Sequence, residues 1–149
     1  MTNLMTVKKE IRVLGLDTCR KDVMIGAVVR GGLYLDGVMR IQGADSTNSF
    51  AVAKFVRASR YYPELRVIMT HDKRQTLNGR SLEKAVGLPV IQVAINPTHG
   101  YRRYLTKNGT VSIRSRLPVE TITRIVSLIW TRGKMPEPLR IAHLIATSF

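Results

Sequence analysis

The amino-acid sequence predicts an α/β protein built on one mixed β-sheet with helices on its faces. Two observations lead to this prediction. In the first 41 residues, apolar side chains alternate with polar ones or form short unbroken runs, which is the pattern of strands. From residue 50 onwards, segments with helical spacing of apolar residues alternate with further strand-like runs. Strands followed by alternating helices and strands favour a sheet flanked by helices.

The first three strands are predicted to form an antiparallel meander. Residues 11–16 read as a half-alternating strand that ends at Asp17, and residues 23–29 are a continuous apolar run typical of a central strand. The Gly31-Gly32 pair then supplies a hairpin turn into a third strand at residues 33–41. Because the turns are short, consecutive strands should lie side by side.

A helical crossover is predicted to follow the meander. Residues 45–47 offer helix caps, residues 50–60 carry apolar side chains at helical spacing, and residues 65–70 form a fourth strand. A strand reached through a helical crossover can pair in parallel with an earlier strand, with a right-handed connection. If its partner is the first strand, Asp17 and the His71-Asp72 pair lie close together.

The rest of the chain completes one predicted domain spanning residues 1–149. No repeat, linker or low-complexity tract interrupts the order of elements. The further predicted elements are a short helix at 82–86, a strand at 88–95, a hairpin at 101–113 around Asn108-Gly109, a helix at 120–131 and a last helix at 139–146.

The proline-rich run at residues 136–143 constrains the backbone conformation and carries a candidate site residue. Pro136 and Pro138 hold the chain extended and remove two amide donors, and Pro138 can open the last helix. Glu137 places a negative charge near the positive end of the helix dipole. His143 follows Leu139 by one turn, so the spacing directs it inward. It is therefore either a site residue or a core histidine in a stiff C-terminal clamp.

The chain is strongly basic. Its 149 residues contain 24 Lys and Arg against 10 Asp and Glu, a formal net charge of +14. The basic residues are spread along the whole chain, which favours a folded basic face that binds nucleic acid in a salt-dependent way. DNA is the expected partner, with RNA as an alternative. A generally basic proteome or a membrane-surface role would also account for this charge.

The sequence predicts a soluble cytoplasmic protein. The single cysteine, Cys19, cannot form an internal disulfide and is expected to be a buried, inert thiol in a reducing interior. The first ten residues lack the apolar core of a signal peptide, and no apolar run approaches the roughly 20 residues of a membrane span. The oligomeric state stays open.

Asp17 is a candidate metal ligand. Metal-dependent phosphodiester cleavage needs carboxylates from adjacent strands to hold a divalent cation. Mg²⁺ prefers oxygen ligands and keeps several waters, so two or three acids suffice. Asp17 stands at the end of an apolar strand, where it would supply the first of them. The alternative is that it caps the turn at residues 18–21.

Several basic and aromatic side chains are candidates for nucleic-acid contact. Tyr61 and Tyr62 would stack on an extruded base, unless they pack at the end of the helix. The alternative for each basic side chain is a solvated surface charge. The basic candidates are Lys54, Arg57, Arg60, Lys73, Arg74 and Arg140.

Six segments occur in the order and register of a known family. They are IRVLGLD at 11–17, VRGG at 29–32, LDGVMR at 35–40, LRVIM at 65–69, GLPVI at 87–91 and PEPLRIAHLIA at 136–146. In these segments the chain resembles the largely archaeal family of deoxyuridine endonucleases, which is related to endonuclease V. The resemblance covers nearly the whole chain, and its last segment is the most specific. It implies a ribonuclease H-like fold and nicking of DNA with a deaminated base by means of Mg²⁺, or alternatively Mn²⁺.

The resemblance also implies site residues. It matches Asp17 to the family's first metal-binding acid and His143 to its last site residue. The family's acid at the end of the fourth strand falls on His71, and a neutral imidazole is a poor ligand for Mg²⁺. Asp72, one place later, and Asp45, after the third strand, are the nearest carboxylates. The predicted catalytic residues are therefore Asp17, Asp72 and His143, and the predicted metal ligands are Asp17, Asp72 and Asp45.

The predicted function is that of a DNA-repair endonuclease which nicks at deoxyuridine or deoxyinosine. The alternative is a catalytically degraded relative that binds nucleic acid without cleaving it. A small protein-interaction subunit is a third interpretation. The base, the strand and the position of the cut stay open.

Overall fold

The computed structural model of this protein describes residues 7–73, 77–95 and 99–148, without the side chains of residues 44 and 45. The described strands are β1 (Arg12–Asp17), β2 (Val23–Arg30), β3 (Tyr34–Gln42), β4 (Val67–His71), β5 (Val90–Ala94), β6 (Arg102–Thr106) and β7 (Gly109–Arg114). The described α-helices are α1 (Ser49–Ala58), α2 (Gly79–Val86), α3 (Val119–Ile129) and α4 (Glu137–Ala146), and 3-10 helices span Gly43–Thr47 and Tyr62–Glu64.

The seven strands form one mixed sheet in the order β3-β2-β1-β4-β5-β7-β6. The first three strands are the predicted antiparallel meander. After the α1 crossover, β4 pairs in parallel with β1, and β5 pairs in parallel with β4. The β6–β7 hairpin completes the sheet beside β5. The predicted mixed sheet is therefore confirmed, and β1 and β4 lie at its centre.

Helices cover both faces of the sheet. On one face, α1 and α2 bury Val52 and Leu82 in a core shared with Leu14 of β1. On the other face, α3 packs over β4, β5 and the hairpin, while α4 buries Leu139 and Ala142 over the centre of the sheet. Because β1 is covered on both sides, its buried Asp17 needs a partner from a packed element. Within the described residues, no helix combines the length and apolar character needed to cross a membrane.

The buried face of α1 differs from the one that its aromatic residues predict. Val52, Ala53 and Val56 are the side chains that α1 buries. Phe50 and Phe55 remain 67% and 43% exposed. The smaller apolar residues allow α1 to lie close to the sheet, and the larger rings are left facing outwards.

Helix α4 lies directly on β1. A Cβ atom added at Gly15 would come within 2.5 Å of the Pro138 backbone, so only glycine permits this approach. From Pro138, five residues of helix rise ~7.5 Å to reach His143. From Gly15, two residues of strand advance ~6.6 Å to reach Asp17. The two distances are similar, and His143 therefore comes to lie over Asp17.

The start of α4 is two residues earlier than predicted, at Glu137. Pro138 occupies the first turn, where its missing N–H leaves no hydrogen bond unmade. The Glu137 side chain is 2% exposed, and its carboxylate accepts hydrogen bonds from Arg140 and Arg132. Burial alone would raise the pKa of Glu137, but the hydrogen bonds from the two arginines outweigh it and hold the pKa below its usual value. This cluster fixes the N-terminus of the helix that carries His143.

Candidate functional site

Asp17 and His143 form the centre of the candidate site. Asp17 is fully buried at the end of β1, and its Oδ2 lies 2.8 Å from His143 Nδ1. Its Oδ1 accepts a hydrogen bond from the backbone N–H of Cys19 at 2.9 Å, so Asp17 also caps the turn after β1. When the carboxylate is ionised it only accepts, and Nδ1 is the nitrogen that carries the proton. The His143 side chain remains 41% exposed.

Cys19 completes a group of three potential ligands. One ligand atom from each of Asp17, Cys19 and His143 lies within 4.8 Å of the other two. Among the residues that the structure describes, this is the only such group of three or more acidic, His or Cys side chains. Burial, followed by the charge of Asp17, raises the pKa of the Cys19 thiol to about 11. Cys19, which was expected to be buried and inert, is thus half-buried and lies beside the site. The only sequence signal for this position is that Cys19 follows Asp17 by two residues, within one turn.

His71 is the residue beside Asp17 on the neighbouring strand. The β1–β4 register pairs Asp17 with His71, and the His71 side chain is 4% exposed. Its ring centroid lies 6.4 Å from that of His143, and its buried Nδ1 has no hydrogen-bond partner among the described residues. Burial lowers the pKa of His71 below its ordinary value, although the charge of Asp17 opposes the change. His71 is therefore a neutral imidazole held against the site.

Asp72 has partners outside this group. Its Oδ1 accepts a hydrogen bond from the Thr18 hydroxyl at 2.7 Å, and its Oδ2 accepts one from the Leu77 N–H at 2.5 Å. Leu77 belongs to the core under α1 and α2, on the face opposite α4. The expected convergence of Asp72 with Asp17 and His143 in one group is not observed, because side chains alternate along β4 and position 71 takes the place beside Asp17.

Two predicted site residues lie outside the described part of the structure. The side chain of Asp45 is outside the description, although its backbone belongs to the 3-10 helix after β3. Arg74 falls in the undescribed segment 74–76. Both assignments stay predictions.

The described donor set does not fit Mg²⁺. It contains one carboxylate, one thiol and one imidazole, with a second imidazole alongside. Mg²⁺ takes oxygen ligands in an octahedral arrangement, whereas thiols and imidazoles suit transition metals. Within this group, Asp17 is therefore the one residue that offers the oxygen ligands Mg²⁺ prefers.

A basic side chain lies beside the site, and others lie along α1 on the opposite face of the sheet. Lys73 lies close enough to Cys19 and His71 for its charge to act on both: it opposes the rise in the pKa of Cys19 that burial causes, and it adds to the lowering of the pKa of His71 that burial causes. Lys54 and Arg57 are exposed on α1. Arg60, just beyond the end of α1, is also exposed and lies over the Tyr61 ring at 5.0 Å. The exposed rings of Phe50 and Phe55 stand among these charges on the same helix.

Three other predicted contact residues have structural partners. The Tyr61 ring packs against Gly37 of β3, and the Tyr62 hydroxyl donates a hydrogen bond to Val86 O at 2.7 Å. These contacts favour the packing interpretation of both tyrosines. Arg140 Nε and Nη2 both donate to Glu137, at 2.6 and 2.9 Å, so the guanidinium that was expected to meet nucleic acid is engaged inside the protein.

A second concave surface lies on the opposite face, beside the N-terminus of α2. Its volume is about 590 Å³, and it does not include Asp17, Cys19 or His143. Arg116 pairs with Glu83 at 3.0 Å, and Arg114 Nε donates to Gln92 at 3.0 Å. The cleft is lined by Arg80, Arg114, Arg116, Glu83, Gln92 and Asn78, among others. No local pattern could have predicted this cleft, because its residues come from three separate segments of the chain.

No family model matches the chain. Solved structures nevertheless share its fold. A protein of unknown function from Archaeoglobus fulgidus superposes with a TM-score of 0.74 at 19% identity, over 93% of this chain and 97% of the other. Endonuclease V from Streptomyces avermitilis superposes with a TM-score of 0.66 at 16% identity, over 93% of this chain and 81% of the endonuclease. Marinitoga piezophila Argonaute, in complex with guide RNA and target DNA, superposes with a TM-score of 0.69 at 14% identity. This superposition covers 95% of this chain and 30% of the Argonaute chain. The fold is therefore ribonuclease H-like, as predicted.

Curated relatives match at higher identity. A UPF0215 protein from Methanopyrus kandleri is 32% identical over 186 aligned positions, which cover 97% of this chain and 93% of the relative. A UPF0215 protein from Methanosarcina acetivorans is 31% identical over 181 aligned positions, which cover 95% of this chain and 91% of the relative. Both alignments are longer than the 149 residues of this chain, so the relatives contain segments that it lacks. At this identity and coverage, the chain belongs to the UPF0215 family of archaeal proteins.

Proposed function

We propose that this protein is a metal-dependent nuclease that nicks DNA containing a deaminated base such as deoxyuridine or deoxyinosine. The contact between Asp17 and His143 is the observation that carries the proposal. These two residues come from opposite ends of the chain, and they meet at the carboxyl edge of the two central parallel strands. Ligand sites in open α/β sheets form outside the carboxyl ends of strands.

The residues of the site divide the chemistry between them. Asp17 and His143 would hold a divalent ion, and a bound ion supplies an activated water and neutralises charge on the phosphate. Without an ion, Asp17 orients the His143 ring by accepting a hydrogen bond from Nδ1, and an ion held by both residues would take the place of that proton. His71 fills the space beside the buried carboxylate of Asp17.

The charge distribution supports nucleic acid as the substrate. The chain has a net charge of +14, and Lys73 lies beside the site. The exposed Lys54 and Phe55 on α1 combine charge with an aromatic ring, and this pairing suits a nucleic-acid backbone with accessible bases. Phe55 is better exposed for stacking than Tyr61 or Tyr62, which pack against the core.

A second candidate function is nucleic-acid binding without cleavage. The position of Asp72 favours it, because this carboxylate binds Thr18 and Leu77 rather than joining Asp17. The group that the structure describes then has a single acid, which on its own holds Mg²⁺ weakly. The basic surface would be unaffected.

Cleavage and binding on defined duplexes separate the two candidates. Labelled duplexes with one deoxyuridine, one deoxyinosine or no damage are incubated with the protein and Mg²⁺, Mn²⁺, Zn²⁺ or EDTA. We expect a metal-dependent nick in the damaged duplexes, at least about 100-fold slower in Asp17→Asn. Asp22→Asn is the matched control, because Asp22 lies in the same turn with a φ of 62° that asparagine also tolerates.

Each outcome decides one point. No nick by the parent protein with any metal would overturn the nuclease proposal, and retained salt-sensitive binding would then support the second candidate. Equal nicking of damaged and undamaged duplexes would overturn the choice of substrate alone. A nick that persists in Asp17→Asn would place the activity elsewhere.

A further inference from the structure

We propose that Asp17, Cys19, His143 and His71 form a transition-metal site of the Zn²⁺ class. This inference goes beyond the proposed function, because the site can bind an ion whether or not the protein cleaves DNA. The ligand set that sequence analysis expected consisted of carboxylates for Mg²⁺. The described group instead offers one carboxylate, one thiol and one imidazole, and the imidazole of His71 lies beside it.

The spacing of the first three donors fits one ion. The ligand atoms of Asp17, Cys19 and His143 lie within 4.8 Å of one another. Zn–O, Zn–N and Zn–S bonds of 2.0–2.3 Å in a tetrahedron separate ligand atoms by about 3.5 Å. Small side-chain rotations therefore bring the three donors to one ion without movement of the backbone.

These donors are held in place by the fold. The Cys19 N–H donates to Asp17 Oδ1, which fixes the turn between them. The contact of Pro138 with Gly15 sets the height of α4 above β1, and thereby that of His143 above Asp17. A site whose ligands are positioned before binding loses less entropy when it binds the ion.

His71 provides an independent indication of a missing ligand. Its side chain is 4% exposed, and its Nδ1 has no hydrogen-bond partner within the described part of the chain. A buried polar atom without a partner is costly and requires an explanation. A bound metal ion would supply one, because His71 lies next to Asp17 in the β1–β4 register and faces the same side of the sheet.

The two imidazoles are close enough for one ion. Their centroids are 6.4 Å apart, whereas two imidazoles on one tetrahedral zinc have centroids about 5 Å apart. A closure of about 1.4 Å is therefore needed, and rotation of the partly exposed His143 side chain about its Cα–Cβ bond can supply it.

The chemistry of the donors selects the class of metal. Thiol and imidazole ligands favour zinc and its neighbours in the transition series over Mg²⁺ and Ca²⁺. Four protein donors would suit a closed tetrahedral site, and loss of one donor would leave a position for water.

Cobalt(II) is the probe for this site. It substitutes for zinc, and tetrahedral coordination with a thiolate gives strong visible bands and a near-ultraviolet sulfur-to-cobalt charge-transfer band. We expect one equivalent of Co²⁺ to produce both and one equivalent of Zn²⁺ to remove them. Cys19→Ser should abolish the charge-transfer band, and Asp17→Asn, His143→Ala and His71→Ala should each weaken Zn²⁺ binding by at least about 100-fold. Asp22→Asn and His99→Ala, both outside the group, are the controls.

A second measurement uses the unmodified protein, in case a variant fails to fold. Cys19 is the sole cysteine of the chain, so the rate of its alkylation reports on this site alone. Zn²⁺ should slow alkylation at least about tenfold, and Mg²⁺ should leave it unchanged. An octahedral cobalt spectrum without a charge-transfer band, or alkylation that Zn²⁺ does not slow, would overturn the proposal. A tetrahedral cobalt site in a protein that nicks no duplex would support it and overturn only the nuclease function.

Discussion

Gly15 of β1 and Pro138 of α4 are in direct contact, and a methyl group at position 15 would collide with the Pro138 carbonyl. The backbone of the helix rather than a flexible side chain occupies that space. The contact determines how His143 stands over Asp17, which lies two residues further along β1. A residue with no functional group therefore positions the candidate site.

Gly15→Ala should weaken the site as well as the fold. The added methyl must push α4 away from β1, which should lower the free energy of unfolding by about 2 kcal/mol and separate His143 from Asp17. Unfolding in urea and Zn²⁺ titration measure the two effects. Gly43→Ala is the control, because position 43 has a φ of +70° but nothing within 4 Å of an added Cβ. It should cost stability through backbone strain and leave metal binding unchanged; equal loss of metal binding in both variants would contradict the prediction.

Asp72→Asn tests the predicted second metal ligand. Asparagine cannot accept hydrogen bonds from both Thr18 and Leu77 as the carboxylate does, so stability should fall by about 1–2 kcal/mol. Metal affinity should stay within twofold of the parent value, as measured by isothermal titration. A loss as large as that of Asp17→Asn would show instead that Asp72 reaches the ion, as the sequence led us to expect.

His71→Asp should change the preferred metal. The new carboxylate would stand beside Asp17 on β4, and two adjacent buried acids should lower stability by about 2 kcal/mol without an ion. Mg²⁺ and Mn²⁺ should restore this stability by binding the folded state, whereas they should not affect the parent. Thermal unfolding with and without each ion is the measurement. His71→Asn has the same shape without the charge, and a response to Mg²⁺ in that variant would refute the explanation.

Glu137 should contribute stability that depends on pH. Hydrogen bonds from Arg140 and Arg132 hold its pKa below 4.5 in the folded state, against the opposing effect of burial. Its stabilising effect is then complete above the unfolded-state pKa and is lost as the pH falls through the lower folded-state pKa. Glu137→Gln should therefore be less stable than the parent by about 2 kcal/mol at neutral pH, since both arginines keep some exposure. In urea unfolding between pH 3 and 7, the difference should shrink below pH 4.5; a difference that grows there would contradict this assignment.

Lys73 should be a phosphate contact. It lies beside Cys19 and His71, so Lys73→Gln should weaken DNA binding about equally for all sequences and lower the salt slope of log K by about one. Fluorescence anisotropy at several salt concentrations gives the slope. Arg66→Gln is the control, because Arg66 precedes β4 at the opposite edge of the sheet and donates to Pro63 and Leu65 carbonyls. The same loss of slope in both variants would indicate general electrostatics in place of a contact.

The sequence was informative where local pattern determines structure. Apolar runs and the Gly31-Gly32 turn predicted the meander, and the helical crossover predicted the parallel pairing that brings Asp17 to β4. Asp17 and His143 were both predicted for the site, and they are in contact. The resemblance to a known family was needed to pair them, since the chain separates them by 126 residues.

The remainder depends on contacts between elements that no local pattern encodes. The place of Cys19 follows from the geometry of a turn, and that of His71 from the register of two strands. The helical spacing of apolar residues at 50–60 does not reveal that Phe50 and Phe55 are exposed, which follows from the packing of small residues under α1. Arg140 was predicted to meet nucleic acid, yet the buried Glu137 on the same helix engages it.

The β1–β4 register has a consequence for how this site can evolve. Position 71 alone decides whether a carboxylate or an imidazole stands beside Asp17, and a histidine codon becomes an aspartate codon through one base change. Within a fixed backbone, a single nucleotide substitution would therefore exchange the proposed zinc site for one with two adjacent carboxylates. We expect the metal preference of each relative to follow the identity of its residue at this position.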